Sequence, residues 1–258
     1  MNWLGSMVIA FSMYSRIPMP KVEWTKERMR YAMCYFPLIG AVIGLVYAGY
    51  GMASEKLDIP QTAYACMGTV IPLLITGGIH MDGYLDTCDA RSSYGDREKK
   101  LEILKDPHTG AFALIHGGIY LLVYTAVFSM IPPGFLSCVG GSCILSRALS
   151  GYGVVAFPKA KNSGLAAMFS DGAEKRTVKA VMILYAIAAG IWIAAAGGVI
   201  LAAGCVMVSA VIFLAYRRMA VREFGGITGD LAGYFLQRAE LGQLLMIAAV
   251  AMAGGIGT

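Results

Sequence analysis

The chain has 258 residues, of which 57% are hydrophobic and only 14% charged, with a mean hydropathy of +0.64; a soluble domain carries about 25% charged residues. A soluble fold of this length would have to hide nearly all of that apolar surface, and the period-two alternation of strands is absent, which leaves helices packed in lipid. The net charge of +5 looks at first like a nucleic-acid signal, and the positions of the charges remove it.

Residues 1–13 are apolar but lack the basic n-region and small-residue cleavage site of a signal peptide. A retained first segment is expected there, either spanning the bilayer or lying at its interface. A spanning helix needs about 20 apolar residues, and seven stretches qualify: 31–52, 60–79, 110–131, 134–152, 178–197, 198–216 and 241–257. Pro60, Pro132-Pro133 and Gly197-Gly198 punctuate their ends. The 32 glycines and 16 methionines suit close helix packing. Cys34, Cys66, Cys88, Cys138, Cys143 and Cys205 are scattered without a CxxC pair. They read as buried free thiols, neither a zinc site nor a disulfide framework.

Of the 21 lysines and arginines, five fall in each of 16–30, 91–105 and 159–179, and four in 217–238, leaving Lys56 and Arg147. Basic clusters alternate with turns nearly free of charge, as the positive-inside rule requires. The predicted architecture is therefore a single all-α polytopic domain over residues 1–258, with about seven spans plus the N-terminal segment. Stretches 14–30, 80–109, 153–177 and 217–240 are expected on the cytoplasmic face of the inner membrane.

The acidic residues follow another rule: seven of the sixteen lie between Asp82 and Asp106. In His80-Met81-Asp82-Gly83-Tyr84-Leu85-Asp86-Thr87-Cys88-Asp89, spacings of four and three put Asp82, Asp86 and Asp89 on one helix face. Like charges at adjacent turns repel, and a hard divalent cation removes the repulsion. Oxygen-only ligands favour Mg²⁺, which completes its shell with water and substrate phosphate. The competing reading is a solvated helix end, or ion pairs with Arg91 and Arg97. The amphipathic run from Arg91 to Lys105 is expected to set Leu101, Ile103 and Leu104 in the headgroups. Beyond it, Lys105 is a candidate phosphate contact, and Asp106 a candidate metal ligand or base.

Arg147 stands within a span, where a charge is expensive and functional; it either clamps phosphate or snorkels to the nearby boundary. Arg217, Arg218 and Arg222 precede the turn Gly225-Gly226-Ile227-Thr228-Gly229-Asp230, whose backbone N–H groups can cradle an anion. His80 is a candidate contact beside the triad.

These pieces, in this order, resemble the cobalamin synthase family (adenosylcobinamide-GDP ribazoletransferase). Thr76 to Asp89 is similar to its signature TGG-x-H-x-DG-x-x-DT-x-D. Tyr14 to Pro20, Arg97 to Gly110, Ser146-Arg147, Gly164-Leu165 and the turn ending at Asp230 resemble its other elements. Two departures are Ala90, where the signature closes with glycine, and Gln237 with Glu240, where the family often has two glutamates. The resemblance implies that adenosylcobinamide-GDP is joined to α-ribazole, or its 5′-phosphate, with release of GMP. It implies Asp82, Asp86 and Asp89 at Mg²⁺, with Asp89 or Asp230 the base and Lys105, Arg147 and the Arg217/Arg218/Arg222 group at phosphate. Substrates and membrane lipid are the expected partners; no nucleic acid is, and a homo-oligomer is left open. The alternatives are a CDP-alcohol phosphotransferase, whose pattern needs glycine at Ala90, and an ion-coupled transporter, whose ligands usually sit at the midplane.

Overall fold

The computed structural model describes residues 3–161 and 164–255, and among them every regular element is helical. The first helix, α1 (Trp3–Tyr14), has 12 residues, a rise of about 18 Å against a hydrocarbon core of about 30 Å. It does not span. Ile9 and Ala10 are fully buried against the bundle, which settles the choice left open for residues 1–13, of which Met1 and Asn2 lie outside the described residues.

After the short α2 (Lys26–Met29), α3 (Phe36–Lys56) descends and α4 (Gln61–Thr76) returns. The sequence places the end of that second span at residue 79, but Gly77 and Gly78 both take left-handed φ, at 67° and 77°, which glycine adopts without steric cost. The following helix, α5 (Ile79–Ser92), is consequently bent 97° from α4. Arg16 anchors this corner: its N–H donates to the Ile75 carbonyl at 2.7 Å and its side chain lies over Gly77.

Then come α6 (Arg97–Ile103), α7 (Ala111–Phe128), α8 (Leu136–Ala156), α9 (Leu165–Gly172), α10 (Lys175–Gly197), α11 (Val199–Met219) and α12 (Gly229–Gly255). Six helices are long and apolar enough to cross a membrane, or seven if α4 and α5 together count as one. The chain is an all-α polytopic membrane protein. One boundary moves: the last span begins at Gly229, where the sequence suggested 241, so the glycine turn is its N-terminal cap. Residues 256 and 257 of that expected span lie outside the described residues.

α8 is the central helix. A Cβ on its Gly140 would stand 2.6 Å from Gly44 of α3, a backbone approach that small residues permit. The turns without a basic cluster meet at one end, where Tyr64 donates to the Ile131 carbonyl and Gln61 to that of Ser129. The basic stretches meet at the other: Glu174 N–H donates to Arg30, and Lys161 Nζ to the Leu101 carbonyl. Leu101, Ile103 and Leu104, expected in the headgroups, are partly buried against the protein core. Among the described residues all the cysteines are free; five are buried, and Cys66 is exposed.

Candidate active site

α5 and α12 cross through glycine. A Cβ on Gly83 would stand 2.8 Å from the Asp230 backbone, and one on Gly233 would stand 2.9 Å from the His80 carbonyl. This contact places Asp230 beside the acidic face of α5. Asp82 is exposed, while Asp86, Asp89 and Asp230 are half-buried. The charges of Asp82, Asp230 and Asp89 all act repulsively on Asp86. Arg91 does not neutralise them. Its guanidinium grips Glu223 at 3.1 and 3.2 Å, and Lys100 reaches the same carboxylate at 2.9 Å. Arg97 lies on Gly225. Among the described residues none of Asp82, Asp86, Asp89 and Asp230 forms an ion pair. The reading as an ion-paired helix end therefore fails for Arg91 and Arg97.

Asp89 differs from its neighbours. Ala113 N–H donates to its Oδ1 at 3.3 Å, and the carboxylate fills the space over Gly110. Asp89 thus satisfies donors at the start of α7, where helix N–H groups lack internal partners. Among the described residues no three His, Cys, Asp or Glu side chains converge closely enough to cage a metal. The donor set suits Mg²⁺ nonetheless: all oxygen, uncompensated, and open, because that ion is usually held by one or two carboxylates with water and substrate phosphate.

Beside Asp230 the chain builds a cationic hollow. Gly226, at φ 154°, admits the segment 158–160, so that Ile227 N–H donates to the Pro158 carbonyl at 2.8 Å and Ala160 N–H to Ile227 at 3.0 Å. Thr228 Oγ1 accepts from Leu231 N–H at 3.2 Å and caps α12. The result is a cavity of about 250 Å³ bordered by Lys105, Lys161, Thr228, Gly229 and Asp230. Burial, then the neighbouring Lys105, pulls the Lys161 ammonium below the usual lysine range, against the attraction of Asp230. Lys105, a candidate from the sequence, borders this cavity. Lys161 was missed, although its basic cluster and its place at the same end of the bundle were the available signal. Asn162 and Ser163, just before the Gly164-Leu165 element, lie outside the described residues.

The remaining candidates are redistributed. Arg147 neither snorkels nor faces the lysine cavity. It is 1% exposed, donates to the Cys143 carbonyl at 3.0 Å and pairs with Glu240 at 2.6 Å. Ser146 adds a hydrogen bond to the same carboxylate at 3.3 Å. Arg217, Arg218 and Arg222 are exposed, with Arg217 over the Phe157 ring, and none borders the cavities described here. Asp106 is apart from the acidic cluster. Its carboxylate accepts from the His108 backbone N–H at 2.9 Å and meets His108 Nδ1 at 2.7 Å, contacts that hold it below the usual carboxylate range. It borders an open groove shared with Lys105 and Lys161.

His80 turns away from the lysines, into a second cavity of about 260 Å³ bordered also by Tyr14, Phe36, Ser150, Asp82 and Asp230. Its ring lies 6.1 Å from that of Tyr14, nearly parallel, and 5.6 Å from that of Phe36. Asp230 borders both cavities.

The family model described as cobalamin-5-phosphate synthase matches residues 6–248. A protein of Lachnoclostridium phytofermentans named adenosylcobinamide-GDP ribazoletransferase is 46% identical over 241 residues, covering 93% of this chain and 92% of that one. Proteins of the same name from Clostridium perfringens and Geobacillus kaustophilus are 32% and 30% identical. The first alignment covers 93% of this chain and 95% of the relative, the second 92% of each. No solved structure matches the chain.

Proposed function

The chain belongs to the cobalamin-5-phosphate synthase family, and on that premise we propose that it transfers the adenosylcobinamide phosphoryl group of adenosylcobinamide-GDP to α-ribazole or its 5′-phosphate. A ribose hydroxyl oxygen bonds to phosphorus, the bond to the departing phosphate oxygen of GMP breaks, and the hydroxyl proton passes to a carboxylate. The observation that carries this reading is the position of Asp230, which borders both the lysine cavity and the aromatic one and touches α5 at Gly83. A pyrophosphate seated beside Lys105 and Lys161 and a nucleoside in the second cavity would meet at that carboxylate.

Asp230 is accordingly the proposed general base; Asp89, engaged by the start of α7, positions that helix against α5. Asp82 and Asp86 are the proposed Mg²⁺ ligands, the ion supplying charge stabilisation to the transferring phosphoryl group when bound. Lys105 and Lys161 bind the phosphates as point charges, with the Thr228-Gly229 turn closing the hollow. The basic end of the bundle, which carries all of these groups, is proposed to face the cytoplasm.

The relatives bear a transferase name, and the acids stand at one end of the bundle beside lysines, which favours the transferase over the transporter. The test is incubation of the purified protein in detergent with adenosylcobinamide-GDP, α-ribazole and Mg²⁺. GMP formation matched by a cobalamin product is the expected result. GMP without that product, or none at all with folded protein, would overturn the proposal.

A further inference from the structure

The second cavity has a composition that a phosphate site does not need. Tyr14, Phe36 and His80 form a continuous aromatic wall, Tyr14 and Phe36 standing 4.5 Å apart between ring centres. His80 is 6% exposed, and both its ring nitrogens are buried without a hydrogen-bond partner among the described residues. Buried polar atoms are normally satisfied, so two on one side chain that borders a cavity call for a ligand. At about 260 Å³ the space lies just below the roughly 300 Å³ at which sites for drug-sized ligands begin, far too small for a corrinoid.

We propose that this cavity receives the aromatic base of the ribazole substrate, stacked on the Tyr14–Phe36 wall with its free ring nitrogen accepting a hydrogen bond from His80. The inference rests on the transferase reading above and assigns the nucleoside's place within it. The base of α-ribazole is a dimethylated two-ring heteroaromatic with one unsubstituted ring nitrogen. It matches a site with an aromatic wall and an imidazole, which carries an N–H donor in either tautomer. Guanine, the other base in the reaction, presents a polar edge whose donors would have to take Asp82 and Asp230, the carboxylates assigned above to the ion and to the general base. An acyl chain would fill the space but leave both His80 nitrogens unpaired. The cavity is bordered by Asp82 and Asp230 as well, so a base lodged against His80 keeps its ribose beside the proposed general base.

The experiment measures, on full-length protein in detergent, equilibrium binding of labelled α-ribazole and the two KM values from GMP release. The variants are Ser150→Leu, which puts bulk into the cavity, His80→Phe, which removes the donor, and His80→Asn, which keeps one. Loss of the hydrogen bond or of the stacking space is expected to weaken α-ribazole binding and raise its KM on the order of 10-fold in Ser150→Leu and His80→Phe. The effect should be smaller in His80→Asn, and KM for adenosylcobinamide-GDP should stay within about twofold of the parent. Free 5,6-dimethylbenzimidazole should compete with α-ribazole where guanine does not. Unchanged α-ribazole binding in both disruptive variants overturns the inference while leaving the transferase reading intact. So do equal changes in the two KM values, which a merely structural role would produce. If the parent releases no GMP, the transferase reading falls and binding alone decides: saturable α-ribazole binding lost in the variants sustains the cavity assignment, and no binding to the parent removes it.

Discussion

Replacing Glu240 by Gln tests the energetics of the bundle centre. Arg147 and Glu240 are 1% and 4% exposed and 2.6 Å apart, a pair with almost no access to water. Each ion loses several kcal/mol of hydration on burial, which the partner offsets only while both are present. Glu240→Gln keeps the size and an acceptor for Ser146, but leaves the Arg147 cation without its counter-ion. The cost for such a break is about 3–5 kcal/mol. At roughly 2–4 °C per kcal/mol for a chain of this size, the melting temperature should fall by about 6–20 °C. Arg147→Met strands the carboxylate instead and should cost a similar amount. The double variant buries no charge, so it should melt closer to the parent than either single does. Melting curves of the four proteins in one detergent, followed by tryptophan fluorescence, decide the matter. Single variants within about 2 °C of the parent, or a double whose loss is the sum of the two, would refute the reasoning.

Asp82→Asn, Asp86→Asn and Asp230→Asn should each lower GMP release on the order of 10³-fold, with Asp82→Asn and Asp86→Asn alone shifting the Mg²⁺ titration; near-parental rates in all three would return the cluster to a solvated helix end. Lys161, held below the usual lysine range, gives up its proton at lower pH than an ordinary lysine, so kcat/KM should fall early on the alkaline side. Lys161→Arg, which keeps its charge, should push that limb to higher pH, and identical profiles would remove Lys161 from phosphate binding. Gly83→Ala sets a Cβ 2.8 Å from the Asp230 backbone and should cost about 1–3 kcal/mol along with most of the activity, measured by melting and GMP release together. Finally, a cysteine at position 95, with the native thiols replaced, should resist membrane-impermeant maleimide in intact cells; labelling from outside would invert the proposed orientation.

Composition and charge rules carried much of the fold because a bilayer restricts the options: apolar runs must be helices, and basic loops must share a side. They located the spans and gathered the stretches around residues 25, 95, 168 and 225 at one end, where Arg30 meets residue 174 and Lys161 meets Leu101. What they missed depended on single backbone angles and on distant partners. The 97° corner at Gly77-Gly78 is invisible to hydropathy, which marks the end of the apolar run near residue 79 but not the angle at which the chain leaves it. Arg147 looked like a free cation because its counter-ion is 93 residues away, and Gln237-to-Glu240 read as a loop until α12 was seen to start at Gly229. Asp82, Asp86 and Asp89 were legible as one helix face from their spacing and Asp230 as a separate candidate base, whereas the approach of Asp230 to that face follows from the α5–α12 crossing, and the separate surroundings of Asp89 and Asp106 from the turns around α7. His80 was legible as a candidate contact, but its aromatic surroundings were not, because nothing in its neighbourhood along the chain names Tyr14 or Phe36.

The corner after α4 also fixes depth. Sixteen residues rise about 24 Å, less than a hydrocarbon core of about 30 Å. α4 alone is therefore shorter than the apolar thickness, and the chain turns through 97° into α5 at its end. Because α5 carries the acids and hangs from this short arm, the fit of α4 to its bilayer is expected to set how far the acids stand from water, so transfer rates in vesicles of longer and shorter acyl chains should differ.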